Sequence, residues 1–342
     1  MLVRGDGSTV GLVSGGCLES DLAEHARRVH GTGAAEIVRY DTRDDDDAPW
    51  GLGLGCNGLI DVLLEPLGAG HIRDIAALID AALSADNPSV LVTVIRASAD
   101  DTGHPSLGAH ALVREGKTIA IGNWGDSTVL RESATAIGEA LAAGRRGLTR
   151  EYGATEIAFE VVMPSVRLVI CGSGQDALPL SHFATRLGWD VTVVDHRSVT
   201  DAHTARFAGV GVIHCEEAGR LADILPLNRR TAAVVMSHHY SRDLDYVQAL
   251  LAADVAYIGV LGPRARTERM LGDLAGRGAE APDPARLFAP VGLDIGGDGP
   301  EAIALAVIAE VSAVAGGRSG GHLRSKKGPL HSPVPTIQPS AG

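Results

Sequence analysis

Cys17 in "GLVSGGCLES" (residues 11–20) sits in a setting that suggests chemistry. An apolar run reaches Val13, and Ser14, Gly15, Gly16 and Cys17 follow it. Then "LESDLAEHARRVH" places Leu18, Leu22, Ala26 and Val29 at helical spacing. Glycines let a backbone turn tightly and approach a ligand closely. A helix start offers free N–H groups and a partial positive charge. Both favour an anion, or a thiolate with a lowered pKa. Cys56, in "GLGLGCNGLIDVLLEPL", lies in a similar glycine-rich loop, here before a strand. The other reading of each cysteine is a small packing residue, and composition leaves both readings open. Two such settings in one domain favour a site. The acidic stretch "DTRDDDDAPWGLGLG" (41–55) before Cys56 reads as a solvated loop. Cys171 and Cys215 lie at or near strand ends and read as packing residues. No CxxC pair and no tetrahedral zinc signature are present.

A second stretch, "LVICGSGQDALPLSHFATRLGWDVTVVDHR", gives a strand, the turn G-x-G-x-x-A (Gly172, Gly174, Ala177), a helix, a strand and an acid. Asp195 follows Gly174 by 21 residues, at the end of the second strand. This is the layout of a Rossmann βαβ unit, in which glycines bring the backbone close to a pyrophosphate. Asp176 occupies the first helical turn, where it suits the helix dipole and opposes a phosphate. His196 and Arg197 leave open whether Asp195 reads a ribose. "VVMSHHYSRD" (234–243) puts Ser237, His238 and His239 at the C-terminal end of a strand, where open α/β sheets bind ligands. A histidine pair there reads more readily as hydrogen-bonded scaffold than as metal ligands. "GVLGPRAR" (259–266) and "GLDIGGDGPEAIA" (292–304) are similar turns, and Asp298 with Pro300 marks a helix start.

These residues need elements to hold them. A chain of 342 residues suggests two domains, and 45% hydrophobic residues can fill their cores. A net charge of −12 argues against nucleic acid or an anionic membrane as the main partner. No apolar run nears the roughly 20 residues of a membrane span, and no secretory signal follows Met1. With four scattered cysteines, this predicts reduced thiols in the cytoplasm. The first domain, 1–150, is predicted to hold a strand at 88–98, a hairpin over 108–123 turning at Glu115–Gly116, and a helix over 133–145. Residues 151–165 read as a linker strand ending at a proline. In 166–315, strands at 167–171, 191–195, 210–214, 232–236 and 256–260 alternate with helices at 177–187, 241–252 and 300–314. The predicted class is α/β: an N-terminal α/β domain with an internal hairpin repeat, then a Rossmann-like, doubly wound, mostly parallel sheet. The Gly-, Ser- and Pro-rich residues 316–342 read as a disordered basic tail. The repeat is an echo between "MLVRGDGSTVGLVS" (1–14) and "ALVREGKTIAIGN" (111–123). The second copy has a strand before it and the first has none, so the first domain is expected to lack its first strand.

Taken together, "GLVSGGCLESDL", "GLGLGCNGLIDVLLEPL", "VICGSGQDALPL", "VTVVDHR", "VVMSHHYSRD", "YIGVLGPRARTERML" and "PVGLDIGGDGPEAIALAVIAE" resemble the XdhC/CoxI family over roughly residues 1–315. These are accessory proteins of xanthine dehydrogenase and carbon monoxide dehydrogenase type molybdenum hydroxylases. The resemblance implies a maturation chaperone without turnover. It would bind molybdenum cofactor (molybdopterin, as such or in dinucleotide form), guard it while sulfide replaces an oxo ligand, and deliver it to the apo-hydroxylase. A cysteine desulfurase partner and a homodimer are implied as well. The implied cofactor contacts are Ser14, Gly15, Gly16, Cys17, Glu19 and Cys56, with Cys17 and Cys56 facing the metal. In the second domain they are Gly172, Gly174, Asp176, Asp195 and His238. The sequence departs from the family at Cys56–Asn57–Gly58, where Cys-Gly-Gly is usual, and in having no strand and "GSxPRxxG"-like turn ahead of Met1. The competing reading is an NAD(P)-dependent oxidoreductase built on residues 166–315. A thiol redox enzyme would want a CxxC pair.

Overall fold

The computed structural model describes residues 1–16, 18–41, 59–97, 105–125, 128–143, 147–197, 200–279 and 283–327. The chain forms two compact units, Met1–Met163 and Pro164–Gly342.

The first unit opens with a short hairpin, β1 (Leu2–Val3) and β2 (Thr9–Val10), followed by helix α1 (Glu19–Thr32). An antiparallel pair, β3 (Glu36–Asp41) and β4 (Leu59–Leu64), comes next. Leu18 and Leu22 of the α1 segment pack against Val38, Tyr40 and Val62. After α2 (Ala69–Leu83) the chain builds one antiparallel sheet from β5 (Ser89–Arg96), β6 (His110–Arg114) and β7 (Lys117–Ile121). Two short helices, α3 (Thr128–Glu132) and α4 (Ala134–Ala143), precede β8 (Gly147–Tyr152) and β9 (Thr155–Val162). The strand order is β7-β6-β5-β9-β8. The β6–β7 turn falls at Glu115 and Gly116, with φ of 49° and 72°. Two left-handed residues make a tight hairpin turn that follows the twist of the strands.

One expectation changes here. The segment read as a linker strand is half of the β8–β9 hairpin, and β9 pairs along the whole of β5. That places it within the first unit's core, with Ile157 and Phe159 fully buried. β5 has neighbours on both sides, so no sheet edge is left open beside it. The echoed hairpins do share a form, each being followed by a helix, but only β6–β7 belongs to the larger sheet.

The second unit is a six-stranded sheet of β10 (Arg167–Cys171), β11 (Asp190–Asp195), β12 (Gly211–His214), β13 (Thr231–Val235), β14 (Tyr257–Val260) and β15 (Leu287–Phe288). All neighbours run parallel, in the order β12-β11-β10-β13-β14-β15. The helices are α5 (Ala177–Arg186), α6 (Asp201–Thr204), α7 (Leu221–Ile224), α8 (Tyr240–Ala252), α9 (Arg264–Gly276) and α10 (Pro300–Ala315). Numbered within the unit, the order is 3-2-1-4-5-6, the Rossmann arrangement, which reverses between β10 and β13. Separate clusters cover the two faces, one with Tyr246 and Leu250 of α8, the other with Leu180 of α5 and Val307 of α10. Burial on both faces explains why these strands read as unbroken apolar runs. Helix α10 starts at Pro300 as expected, but its cap is Gly299 rather than Asp298. Of the expected tail, residues 316–327 are described, with one short 3-10 turn at Leu323–Ser325; the rest lies outside the described residues.

Candidate functional site

The parallel sheet brings three loops together at its C-terminal end, where strand order reverses. Gly172 follows β10 with φ of 126°, and a Cβ there would lie 2.7 Å from the Met236 carbonyl oxygen and the Ser237 Cα. Gly172 is therefore required by packing between the two turns, in addition to any ligand. Gly174 differs: a Cβ there would meet only the His238 ring, at 3.7 Å. Asp176 caps α5 by position without a side-chain cap bond. Its Oδ2 lies 3.1 Å from His238 Nε2. His238 takes φ of 62°, a conformation non-glycine residues seldom adopt and one that clusters at functional sites. The two residues are 62 positions apart in sequence, yet together they stand over the glycine turn.

Asp195 is in place at the end of β11 but is committed to the protein. It is 2% exposed. Its Oδ1 accepts from Arg197 N (2.8 Å) and Nε (3.0 Å), and its Oδ2 from Ser173 N (3.2 Å) and Arg197 Nη2 (2.8 Å). The Ser173 hydroxyl donates to the same carboxylate. Burial alone would raise this carboxyl's pKa; the Arg197 and Ser173 bonds outweigh it and hold it well below the carboxylate range. The acid that would read a ribose in a dinucleotide enzyme is here a brace between β11 and the glycine turn.

Beyond the turn lies a cleft of about 410 Å³ walled by Leu261, Pro263, Pro290, Val291 and Ile303, with Asp176, His238 and Arg266 as its polar groups. Arg266 Nη2 donates to Asp243 Oδ2 at 2.7 Å, and the fully buried Asp243 accepts at Oδ1 from Ser237 N (3.1 Å) and Oγ (2.6 Å). Asp243 thus fixes both the strand-end turn and the cleft's cation. Nothing in the local sequence singles out Asp243 or Arg266. Both lie inside quoted motifs, but only the fold brings them together. On the far wall, Glu310 of α10 accepts from Tyr257 Oη (2.6 Å) and Gly292 N (3.0 Å), pinning the loop after β15.

In the first unit the loop before α1 is built around Glu19. Its Oε1 accepts from Val13 N (3.1 Å) and Ser14 N (2.7 Å), and its Oε2 from Ser14 Oγ (2.7 Å). Ser14 Oγ in turn accepts from Leu18 N at 3.1 Å. Ser14 and Glu19 therefore shape the loop, while Gly15 and Gly16, the latter with φ of 109°, form its exposed crest. The Ser14 bonds lower the Glu19 pKa to about 2. Glu19→Gln is expected to leave global stability nearly unchanged and to speed amide exchange at Val13, Ser14 and Leu18, read by hydrogen–deuterium exchange. Because the pKa is depressed, the brace holds above the ordinary glutamate range and fails as pH falls toward 2. Wild-type protection factors at these amides, taken relative to the intrinsic exchange rate at each pH, should fall on acidification and the variant's should not.

Cys17 and Cys56 lie outside the described residues. Cys171 and Cys215 are buried, and burial raises both thiol pKa values, as packing residues require. Among the described residues there is no cluster that could hold a metal ion, and no helix is long and apolar enough to cross a membrane.

Residues 168–311 match the family model described as the XdhC Rossmann domain, and residues 1–41 match that of the XdhC and CoxI family. The chain belongs to the XdhC and CoxI family. It is 28% identical to a probable xanthine dehydrogenase subunit of Bacillus subtilis, over 91% of this chain and 86% of that one. It is 24% identical to the molybdenum cofactor insertion chaperone PaoD of Escherichia coli, over 92% of this chain and 77% of that protein. A crystal structure of a xanthine dehydrogenase from Bacillus halodurans superposes with a TM-score of 0.67 at 29% identity, covering 95% of this chain and 87% of that one. Family and fold thus agree with the expectations drawn from the motifs.

Proposed function

We propose that this XdhC-type protein binds molybdenum cofactor, assists its sulfuration and helps insert it into a molybdenum hydroxylase of the xanthine dehydrogenase or carbon monoxide dehydrogenase type. The observation that carries this reading is likeness over nearly the whole chain to PaoD, a molybdenum cofactor insertion chaperone. The cleft supports it. Its volume of about 410 Å³ suits a flat heterocycle. Its apolar walls offer ring contacts, and Arg266 offers a charge for an anionic substituent. When bound, the cofactor carries the molybdenum chemistry of the client enzyme. This chain's part is to hold and shield it: in the second unit Arg266 and His238 orient the organic portion, and Cys17 and Cys56 are the thiols assigned to the metal. The proposed setting is the cytoplasm, with the apo-hydroxylase and a cysteine desulfurase as partners and a homodimer as the working form. The NAD(P) oxidoreductase reading has less support, because Asp195 is already saturated by Arg197 and Ser173.

The test is purification of the full chain from cells that make molybdenum cofactor, followed by assay of released pterin and bound nicotinamide. Pterin without nicotinamide is the expected result; the reverse would favour the oxidoreductase. Cys17→Ser should lower retained pterin about tenfold with little change in melting, the outcome that separates a ligand-holding thiol from a packing one. A variant that keeps its pterin but melts much earlier would make Cys17 a packing residue.

A further inference from the structure

The cleft carries one acceptor that the protein itself does not use. Asp176 lines it with 23% of its side chain exposed. Its Oδ2 meets His238 Nε2 at 3.1 Å, while its Oδ1 has no partner among the described residues, and neither oxygen caps α5. His238 is set for this contact. Its φ of 62° is a strained conformation, and its ring lies over Gly174, 3.7 Å from where a Cβ would stand. The cation of the cleft is placed differently. Arg266 gives Nη2 to Asp243 at 2.7 Å and Nη1 to the Leu261 carbonyl oxygen at 3.4 Å, so its charge already has a buried counter-ion. The remaining walls, among them Leu261, Val291 and Ile303, are apolar. A carboxylate partly withdrawn from water among such walls loses hydration, and a donor brought by a ligand restores what is lost.

We propose that Asp176, held by His238, reads the amino edge of a 2-amino-4-oxopyrimidine ring, in which a ring N–H and an exocyclic NH2 point the same way. A carboxylate accepts such a pair through two parallel bonds, as it accepts an arginine fork. Each carboxylate oxygen has two acceptor positions, so the bond from His238 to Oδ2 does not exclude a second. The apolar walls take the faces of the ring. Pterins and guanine share this edge, and the choice of the pterin rests on the cofactor reading above. The same carboxylate repels a phosphate, so the pterin end of the cofactor, and not its phosphate end, meets the glycine turn. Asp176 is then the residue that sets specificity, and His238 the one that positions it.

The test uses the full-length protein, purified from cells that cannot make molybdenum cofactor. It is titrated with 6-hydroxymethylpterin and 6-hydroxymethyllumazine, read by pteridine fluorescence, and with guanosine, read by calorimetry. The lumazine has a carbonyl where the pterin has its amino group. Wild type should bind the pterin at least about tenfold tighter than the lumazine, because a site built for a donor rejects the analogue that lacks it. Asp176→Asn, whose amide can donate to the lumazine carbonyl, should bring the two within about twofold without changing the melting temperature. His238→Asn, chosen because asparagine accepts a positive φ, should narrow the ratio as well, and carries the test if Asp176→Asn misfolds. Asp223→Asn, at an exposed carboxylate on α7, should keep the wild-type ratio. Equal affinities in wild type, or a ratio unchanged in the folded site variants, would overturn the assignment. Guanosine binding as tightly as the pterin would overturn the choice of ring. The cofactor reading stands or falls separately. A protein that retains cofactor in cells that make it, yet shows no ratio that depends on Asp176, would refute only the edge assignment. One that retains none, yet shows the ratio, would refute the cofactor reading and leave the edge site standing.

Discussion

Gly172→Ala is expected to destabilise the second unit by about 3 kcal/mol or more, with its melting midpoint lowered by about 10 °C. Two penalties combine. A φ of 126° is open to glycine and strained for any L side chain. The added Cβ would also sit 2.7 Å from backbone atoms of Met236 and Ser237, which no side-chain rotation can relieve. Gly174→Ala should cost far less, because its Cβ would make ordinary contact with His238 at 3.7 Å. Gly174→Val should fold and yet retain less cofactor, since the extra bulk stands where a ligand would approach the turn. Scanning calorimetry of the three variants, with pterin assay of the folded ones, separates the roles. Equal midpoints for Gly172→Ala and Gly174→Ala would show that the close approach of the two turns is not a constraint.

Asp243→Ala should be nearly as damaging, at about 3 kcal/mol. Asp243 is fully buried and holds Arg266 at 2.7 Å as well as the Ser237 amide and hydroxyl. Removing it strands two donors and a guanidinium that is only 21% exposed. The double variant Asp243→Ala/Arg266→Met should recover part of the loss, because the stranded charge disappears with the arginine. Urea unfolding of the two single variants and the double measures the coupling. Strict additivity would mean that the pair does not act as a unit.

The second unit is largely legible in the sequence, for a physical reason. Strands buried on both faces must be apolar throughout, and "LVIC", "VTVV" and "AAVV" leave little choice. Elements with a weaker pattern are harder to see. β15 has two residues, and α9 buries only Thr267, Met270 and Leu274 among charged neighbours. β8 is exposed or half-exposed at every position and so shows no two-residue period. In the first unit, β3 and α2 are not among the elements expected from sequence. At the site, the glycine turn and the strand-end histidine can be found from local sequence. The contacts that define them cannot. Asp176 with His238, Asp243 with Arg266, and Gly172 with Ser237 are each joined only by the register of distant strands.

The strand order also has a consequence for how the chain matures on the ribosome. β10, first of its sheet to be synthesised, ends in the middle, and its partner β13 follows about 64 residues later. Until β13 emerges, the backbone hydrogen-bonding edge of β10 that it will pair with stays open, and Gly172 has no Ser237 to close upon. Such non-local parallel pairing is slow, because chain entropy must be lost before the contacts form. The ligand-facing groups of the second unit therefore become functional late and together. A nascent chain stalled before β13 would carry the glycine motif without any capacity to use it.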